Sequence, residues 1–388
     1  MHEDIKRILD DSLPEHITLT EKQKSKIFNR ANQRFTQNKR SIPIKFKPLL
    51  SGIAIILIAG MLSVPSFENW IEQGAYQQTK TKPVIEVTIP EVEYPSLINA
   101  IYVEETNEMI YTDQQSIYSY SLSENTKNVL VEHKENAQIF DIAVNEKWLI
   151  WEEISTSTLK ILNRLNHSLK EVPNIHTSDL QLVDDKLIFL SFGNDDQFAG
   201  YKLMDLISMD ESIIHQQTGD GAGSKASFRE NFIVIPESFK SGDQSTIHFY
   251  LYDMKKQVKV DEFMAPYENA NNVIFSKNKI WALLYNDNED SILAYFDLGD
   301  KRMQKLNVPK FEDYAVYGDY LALSVPKKDS NTVKLYKITG DKVVALKTFD
   351  HINERLVKPR FTENGILIVN GEGKLLTMYL KDVNQLNH

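Results

Sequence analysis

Nine histidines, at positions 2, 16, 133, 167, 176, 215, 248, 351 and 388, are the first candidates for metal or acid–base chemistry. No two stand four residues apart, the spacing that puts two imidazoles on one helical face, so no zinc helix is written in the chain. Cysteine is absent, which removes disulfides, thiolate-ligated zinc, iron–sulfur clusters, thiol catalysis and a lipid-modified N-terminal cysteine. The segment Gly219–Ser227 reads GDGAGSKAS. It lacks the four-residue gap of G-x-x-x-x-G-K and leads into a strand pattern rather than a helix, so it reads as a flexible connection and not as a phosphate cradle. There is no G-x-S-x-G elbow, and the S-x-x-K match at Ser276 and Lys279 sits in a turn.

Two acidic loops, Gly193–Gln197 (GNDDQ) and Asn286–Asp290 (NDNED), gather oxygen ligands that could take a calcium ion outside the cell. Neither follows the spaced EF-hand pattern, and a solvated hairpin tip is the ordinary alternative. Trp148, Trp151, Trp281, Tyr295 and Tyr336 recur at strand positions, where packing between sheets explains them before carbohydrate binding does. The expectation is therefore a non-enzymatic protein with no catalytic residue, no protein-built metal site and no cofactor other than calcium at the acidic loops.

The elements that must position these residues are strands. From residue 84 onward short apolar runs alternate with turn residues, and helix-length 3.6-residue periodicity is hard to find. The clearest unit is a polar turn followed by a compact apolar strand, as in NEMIYT, EKWLIW, DKLIFL, ENFIVI, NKIWALL, GDYLALSV and NGILIV. Their first apolar residues fall at 109, 148, 187, 232, 280, 320 and 366, at intervals of 39, 39, 45, 48, 40 and 46. Each is followed by a second, often aromatic strand (TIHFYLYD, SILAYFDL) and in most units a third, more polar one, and is preceded by a fourth (AQIFDIAV, NNVIFS). Four strands per unit at this period make a propeller blade. The fold expected is all-β, a β-propeller of seven blades, with six or eight compatible with the longer intervals. Only VNQLNH follows Asp382, too little for an outer strand, so Val84–Ile89 is predicted to supply the outer strand of the last blade and close the ring.

Ahead of this body lies a different kind of sequence. Pro48–Phe67 holds twenty residues without a charge, long enough to cross about 30 Å of hydrocarbon. Lys39, Arg40, Lys45 and Lys47 precede it and Glu68 and Glu72 follow, which orients the N-terminus to the cytosol and the body outward. The head, residues 1–47, carries 11 Lys/Arg against 6 Asp/Glu, whereas residues 48–388 carry 33 against 48. Nucleic-acid binding by the acidic body is thereby disfavoured. The head reads as two short helices, the second with Ile27, Phe28, Ala31 and Phe35 on one narrow apolar stripe among basic residues. That stripe either docks a cytosolic protein or lies on anionic lipid. The organisation expected is a head (1–47), a transmembrane helix (48–67), a linker (68–83) and an extracytoplasmic propeller (84–388).

In this turn-plus-strand repeat residues 84–388 resemble the extracytoplasmic β-propellers of membrane-anchored bacterial proteins, though without the GH and WD dipeptides of WD40 repeats. The order of parts, a basic helical head, one helix at PLLSGIAIILIAGML and an outer domain, resembles single-pass anti-sigma factors. The histidine and cysteine zinc motif of many anti-sigma domains is missing. The resemblance implies a single-pass cell-membrane protein whose propeller binds a protein, peptide or wall-derived ligand and whose head signals to a cytosolic partner through Ile27, Phe28, Ala31 and Phe35. The alternatives are an envelope assembly scaffold with the helix as a simple anchor, and a propeller hydrolase or lyase, which would gather acids or histidines at the channel mouth.

Overall fold

The structure, a computed structural model, describes residues 83–386 except 93–97, 133–137, 140, 174–175, 193–198, 222–223, 243, 287–289, 327–330 and 341. The basic head with Ile27, Phe28, Ala31 and Phe35, the apolar run 48–67 and the linker to residue 82 lie outside the described residues, as does the acidic loop 193–197 and the centre of 286–290. Among the described residues no helix is long and apolar enough to cross a membrane.

Seven antiparallel sheets follow one another along the chain. Blade 1 shows the pattern: Ile101–Val103 innermost, then Glu108–Thr112, Ile117–Ser121 and Thr126–Val131. The inner strands of blades 2 to 7 are Ile142–Val144, His176–Val183, the pair Asp220–Gly221 and Ser227–Arg229, Asn269–Ser276, Asp313–Tyr317 and Leu356–Phe361. The compact apolar run of each repeat is the second strand. In Trp148–Glu153 every residue is buried, because a second strand is covered on both faces by neighbouring blades. Outer strands such as Thr126–Val131 keep one face in water, so they read as polar or alternating.

The ring closes as the terminal strand pattern predicts. Ile85–Ile89 pairs antiparallel with Leu376–Asp382, Val87 opposite Met378 and Ile89 opposite Leu376, and completes blade 7. Val383–Leu386 forms only a short 3₁₀ turn after it. Leu376–Asp382 is thereby paired on both sides, and the blade's outer edge is the five-residue strand Ile85–Ile89. The longer sequence intervals contain no extra blade. The 48-residue interval is filled by a tall hairpin in blade 4, Phe232–Ser241 against Gln244–Asp253.

Each interface between adjacent blades holds one apolar cluster. Trp281 packs between blades 5 and 6 with Tyr314 and Leu321, and Phe249 meets Phe296 across blades 4 and 5 with ring centres 5.5 Å apart. Trp148, Trp151, Trp281, Tyr295 and Tyr336 are all buried in these seams, as their strand positions predict. The cluster between blades 7 and 1 contains Val87 and Ile89 together with Met378 and Leu376, so the closing strand contributes apolar packing as well as hydrogen bonds. Ile89→Ala should therefore cost about 2–5 kcal/mol of stability, whereas Glu86→Ala on the exposed face of the same strand should change it by less than about 0.5 kcal/mol. Urea unfolding followed by tryptophan fluorescence measures both; equal effects would show that closure does not depend on this packing.

Candidate functional site

A propeller's inner strands line its axis, and each leaves one edge without a neighbouring strand. Here side chains of the preceding blade occupy those edges. Asp141 Oδ2 accepts from Leu180 N (3.0 Å), Asp179 Oδ2 from Ala226 N (2.8 Å) and Ser224 Oγ from Val273 N (2.9 Å). Asn272 Nδ2 donates to Tyr314 O (2.6 Å) in the next blade. At the seam between blades 7 and 1, Arg360 donates to Ala100 O (2.7 Å) and to Asn370 Oδ1 (2.8 Å). At these five seams a backbone polar group near the axis is thus paired through a side chain.

The geometry that aims these side chains repeats. Asp179, Asn272 and Lys358 have φ of 55°, 49° and 53°, and each sits in a register break of its inner strand, between Ser178 and Gln181, Asn271 and Ile274, and Val357 and Arg360. A bulge at this point turns its side chain toward the axis. All three stand eight residues before the first apolar residue of the following second strand, a position shared by Ser224; Asp141, Lys225 and Asp313 stand seven before it. That offset is the sequence signal by which the site could have been found, and it is visible only after the seven repeats are aligned.

Arg229, at the end of blade 4's inner strand, crosses the axis. Its Nη1 donates to Val316 O (3.2 Å) in blade 6 and its Nη2 to Thr362 O (3.1 Å) beside blade 7. The guanidinium carbon lies 5.4 Å from the centre of the Tyr317 ring. Burial lowers its pKa, opposed by Glu363. With Phe228, Phe361 and Arg360, this side chain divides the channel in two.

On the face where the inner strands begin, a recess of about 790 Å³ is lined by Asp179, Lys225, Asn271, Asn272, Asp313 and Lys358 above Arg229. On the face where they end, a recess of about 510 Å³ is lined by Glu104, Glu105, Glu146, Asp184 and Glu363. Both volumes lie in the range of ligand sites. The two share Arg229 and Arg360 but differ in charge: the first adds Lys225 and Lys358 to Asp179 and Asp313, and the second adds five carboxylates. Burial raises the Glu363 carboxyl above its ordinary range, as do Asp184, Glu105 and Glu104, against Arg229.

In the mixed-charge recess, Lys225 Nζ lies 3.2 Å from Asp141 Oδ2. Asp313 Oδ1 accepts from Tyr314 N (2.8 Å) and Asn272 Nδ2 (3.2 Å). Burial still raises its carboxyl above the usual range, although these bonds and nearby Lys358 pull it down. Burial lowers Lys358, and Arg360 adds to the effect. Arg360 itself is lowered to about 10 by burial. Asp179 is raised by burial despite Lys225 and its bonds from Gln181, Tyr201 and Ala226.

The GDGAGSKAS segment is not the free connection that its composition suggests. Asp220–Gly221 pairs with Glu237 and Ser238, and Ser227–Arg229 with Phe232–Val234, so it builds the inner edge of blade 4 and brings Ser224 and Lys225 to the recess. Glu237, fully buried, accepts the N–H groups of Thr218 and Gly219 and lies 2.9 Å from His215 Nε2, whose Nδ1 is 2.8 Å from Tyr252 Oη. A Cβ at Gly219 would run into the Ser238 carbonyl, which is why glycine stands there. Histidine spacing could not announce His215, because its partners come from another blade. Ser276 and Lys279 have structural roles: Ser276 Oγ accepts Gly318 N (2.8 Å), and Lys279 Nζ lies 4.3 Å from the Tyr295 ring centre. Asn286 Oδ1 accepts Glu268 N (2.9 Å), and no group of three acids or histidines suited to a metal ion occurs among the described residues.

These features define a seven-bladed β-propeller closed by its N-terminal strand, with a plugged axis and two unlike recesses. Similar solved structures include a chain of the Mitotic Checkpoint Complex, 10% identical with a TM-score of 0.53, matching 88% of this chain and 99% of that one. The Dos1 propeller is 11% identical with a TM-score of 0.50 over 73% of this chain and 77% of that one. The RRP9 WD40 repeats are 10% identical with a TM-score of 0.50 over 78% and 99%. At such identities the likeness is one of fold. No protein family matches the chain in sequence, and no curated protein does.

The raised Asp313 carboxyl makes a signed prediction. At low pH the folded and unfolded chains both hold the proton, and no stability is lost; above the raised folded value the ionised group is held in a site that disfavours it, and the penalty is complete. Asp313→Asn should therefore gain in Tm relative to the parent protein as pH rises from about 3.5 to about 7. A Tm difference that does not change with pH would show that burial does not govern this carboxyl.

Proposed function

We propose that this chain is a non-enzymatic recognition protein of the cell envelope. Its propeller is held outside the membrane by the apolar run 48–67 and binds a protein, peptide or envelope-derived ligand. The head reports inward through Ile27, Phe28, Ala31 and Phe35 to a cytosolic partner, in the manner of an anti-sigma factor. The observation that carries the recognition reading is the mixed-charge recess: a concave site of about 790 Å³ in which Asp179, Ser224, Asn272 and Arg360 are held by bonds between blades. A rigid ring presents such a site without reorganisation, which lowers the entropic cost of binding. Support for the anchored arrangement comes from the uncharged twenty-residue run and the basic residues ahead of it.

Photo-crosslinking in intact cells tests both ends of the chain. A crosslinking residue at Asn271, exposed in the recess, is expected to capture an extracytoplasmic protein or peptide, and one in place of Phe28 a cytosolic protein. No capture at Asn271 would overturn the recess as the recognition site. Replacing Ile27, Phe28, Ala31 and Phe35 together by polar residues should release the cytosolic partner in a pull-down. Capture at Asn271 with none at the head would instead make the protein an anchored envelope scaffold.

A further inference from the structure

Resting on the recognition reading above, the net charge of the mixed-charge recess narrows its ligand class. The lining holds four cations, Lys225, Arg229, Lys358 and Arg360, against two carboxylates, Asp179 and Asp313. Both carboxylates already serve the fold. Asp179 is buried and accepts from Ala226 N (2.8 Å), Tyr201 Oη (2.9 Å) and Gln181 Nε2 (2.8 Å), and Asp313 accepts from Tyr314 N and Asn272 Nδ2. The two arginines are held by neutral groups instead. Among the described residues Arg360 bonds to neutral acceptors, the Ala100 and Lys358 carbonyls, Asn370 Oδ1 and the Met378 sulfur. Arg229 donates to the carbonyls of Val316, Phe361 and Thr362. Lys358 adds a second charge beside Arg360. Lys225 stands on the opposite wall with its side chain 65% exposed, and its partner Asp141, 3.2 Å away, lies outside the lining.

The lining thus has two positive charges in excess, or one when Asp141 is counted against Lys225. A cationic ligand would bring a further like charge to this set. A purely apolar one would strip water from the cations without return. A singly charged anion cancels the excess, whereas a multiply charged one would set its surplus against Asp179 and Asp313. We propose that the recess binds a peptide segment by one carboxylate, its C-terminal group or an acidic side chain, which pairs with Lys225 in the field of Arg360 and Lys358. An ammonium has three donors, so Lys225 can take this carboxylate while keeping Asp141. Arg360 has its five N–H groups engaged and acts through its charge alone. The exposed amide of Asn271 gives its Oδ1 to Asn272 N (2.8 Å), which leaves its N–H groups for a carbonyl of the peptide. A volume of about 790 Å³ suits a few residues and not a folded domain, so a larger partner enters only by an acidic tail or loop.

Isothermal titration of the detergent-solubilised full-length protein with four peptides tests this: N-acetyl-trialanine and N-acetyl-Ala-Asp-Ala amide, which carry one carboxylate each, the uncharged N-acetyl-trialanine amide, and the cationic trialanine amide. A carboxylate peptide is expected to bind about tenfold more tightly than the uncharged and cationic ones, with an affinity that falls as salt is raised. The tighter of the two carboxylate peptides identifies the chain end or the side chain as the source. Lys225→Met should weaken that peptide about tenfold and leave the uncharged one unchanged, and Lys225→Arg, which keeps the charge, should preserve binding. Asp141→Asn should strengthen it, because the amide oxygen can still accept Leu180 N while the competing charge is gone. Equal binding of all four peptides, or tighter binding of inorganic phosphate than of either carboxylate peptide, would overturn the proposal. Failure of all four while a crosslinker at Asn271 still captures a protein would overturn it and leave the recognition reading standing. Failure in both experiments would remove both. Circular dichroism checks that each variant keeps its strand content.

Discussion

The unpaired inner edge of each blade is the constraint on which the rest of this propeller depends. A four-stranded blade uses both edges of its middle strands but leaves the innermost one facing the axis, where its N–H and C=O groups need partners. The chain meets this with side chains: Asp141, Asp179 and Ser224 each accept an N–H of the next blade, and Asn272 donates to a carbonyl of the next. The bulges that aim Asp179, Asn272 and Lys358 at the axis follow from that need. A polar ring around the channel is therefore first a structural device. Its second consequence is a recess whose charged groups are already held in place before any ligand arrives.

Arg229 converts one channel into two sites. A guanidinium can donate to several carbonyls at once and keeps its charge when part-buried, so one side chain from blade 4 ties the carbonyls of Val316 and Thr362 across the axis. It leaves the acidic recess and the mixed-charge recess on opposite sides. The same side chain faces Glu363 and offsets part of the repulsion among the acids of the smaller recess. Blade 4, which supplies this plug, is also the irregular member of the ring. Its inner strand is split in two, its central hairpin is the tallest, and the buried Glu237 holds the entering chain against it.

How much of this was legible in the sequence depends on the distance over which the deciding interaction acts. The second strands are covered on both faces by neighbouring blades, so their apolar runs stand out and set the repeat, and the blade count follows from seven such runs. The closing strand was legible because Val84–Ile89 is a strand pattern with no unit of its own and the last unit lacks one. The split inner strand of blade 4 was not, since GDGAGSKAS has the composition of a free loop and pairs only because Glu237 and Ser238 lie across from it. The S-x-x-K match and the histidine spacings were equally uninformative, as Ser276 and His215 find their partners in other blades or strands.

The sequence by itself determined the all-β class, the seven-fold repeat, the closing strand and the aromatic seams, because each is encoded in residues that are near one another in the chain or recur at one period. Only the tertiary structure decided that the axis is plugged, that two recesses of unlike charge flank the plug, and which residues line them. Arg229 bonds to carbonyls 87, 132 and 133 residues away, and Arg360 reaches Ala100 across 260. No local pattern marks such pairs. They exist because closing the ring brings the inner strands of blades far apart in sequence to within one side-chain length of a common axis.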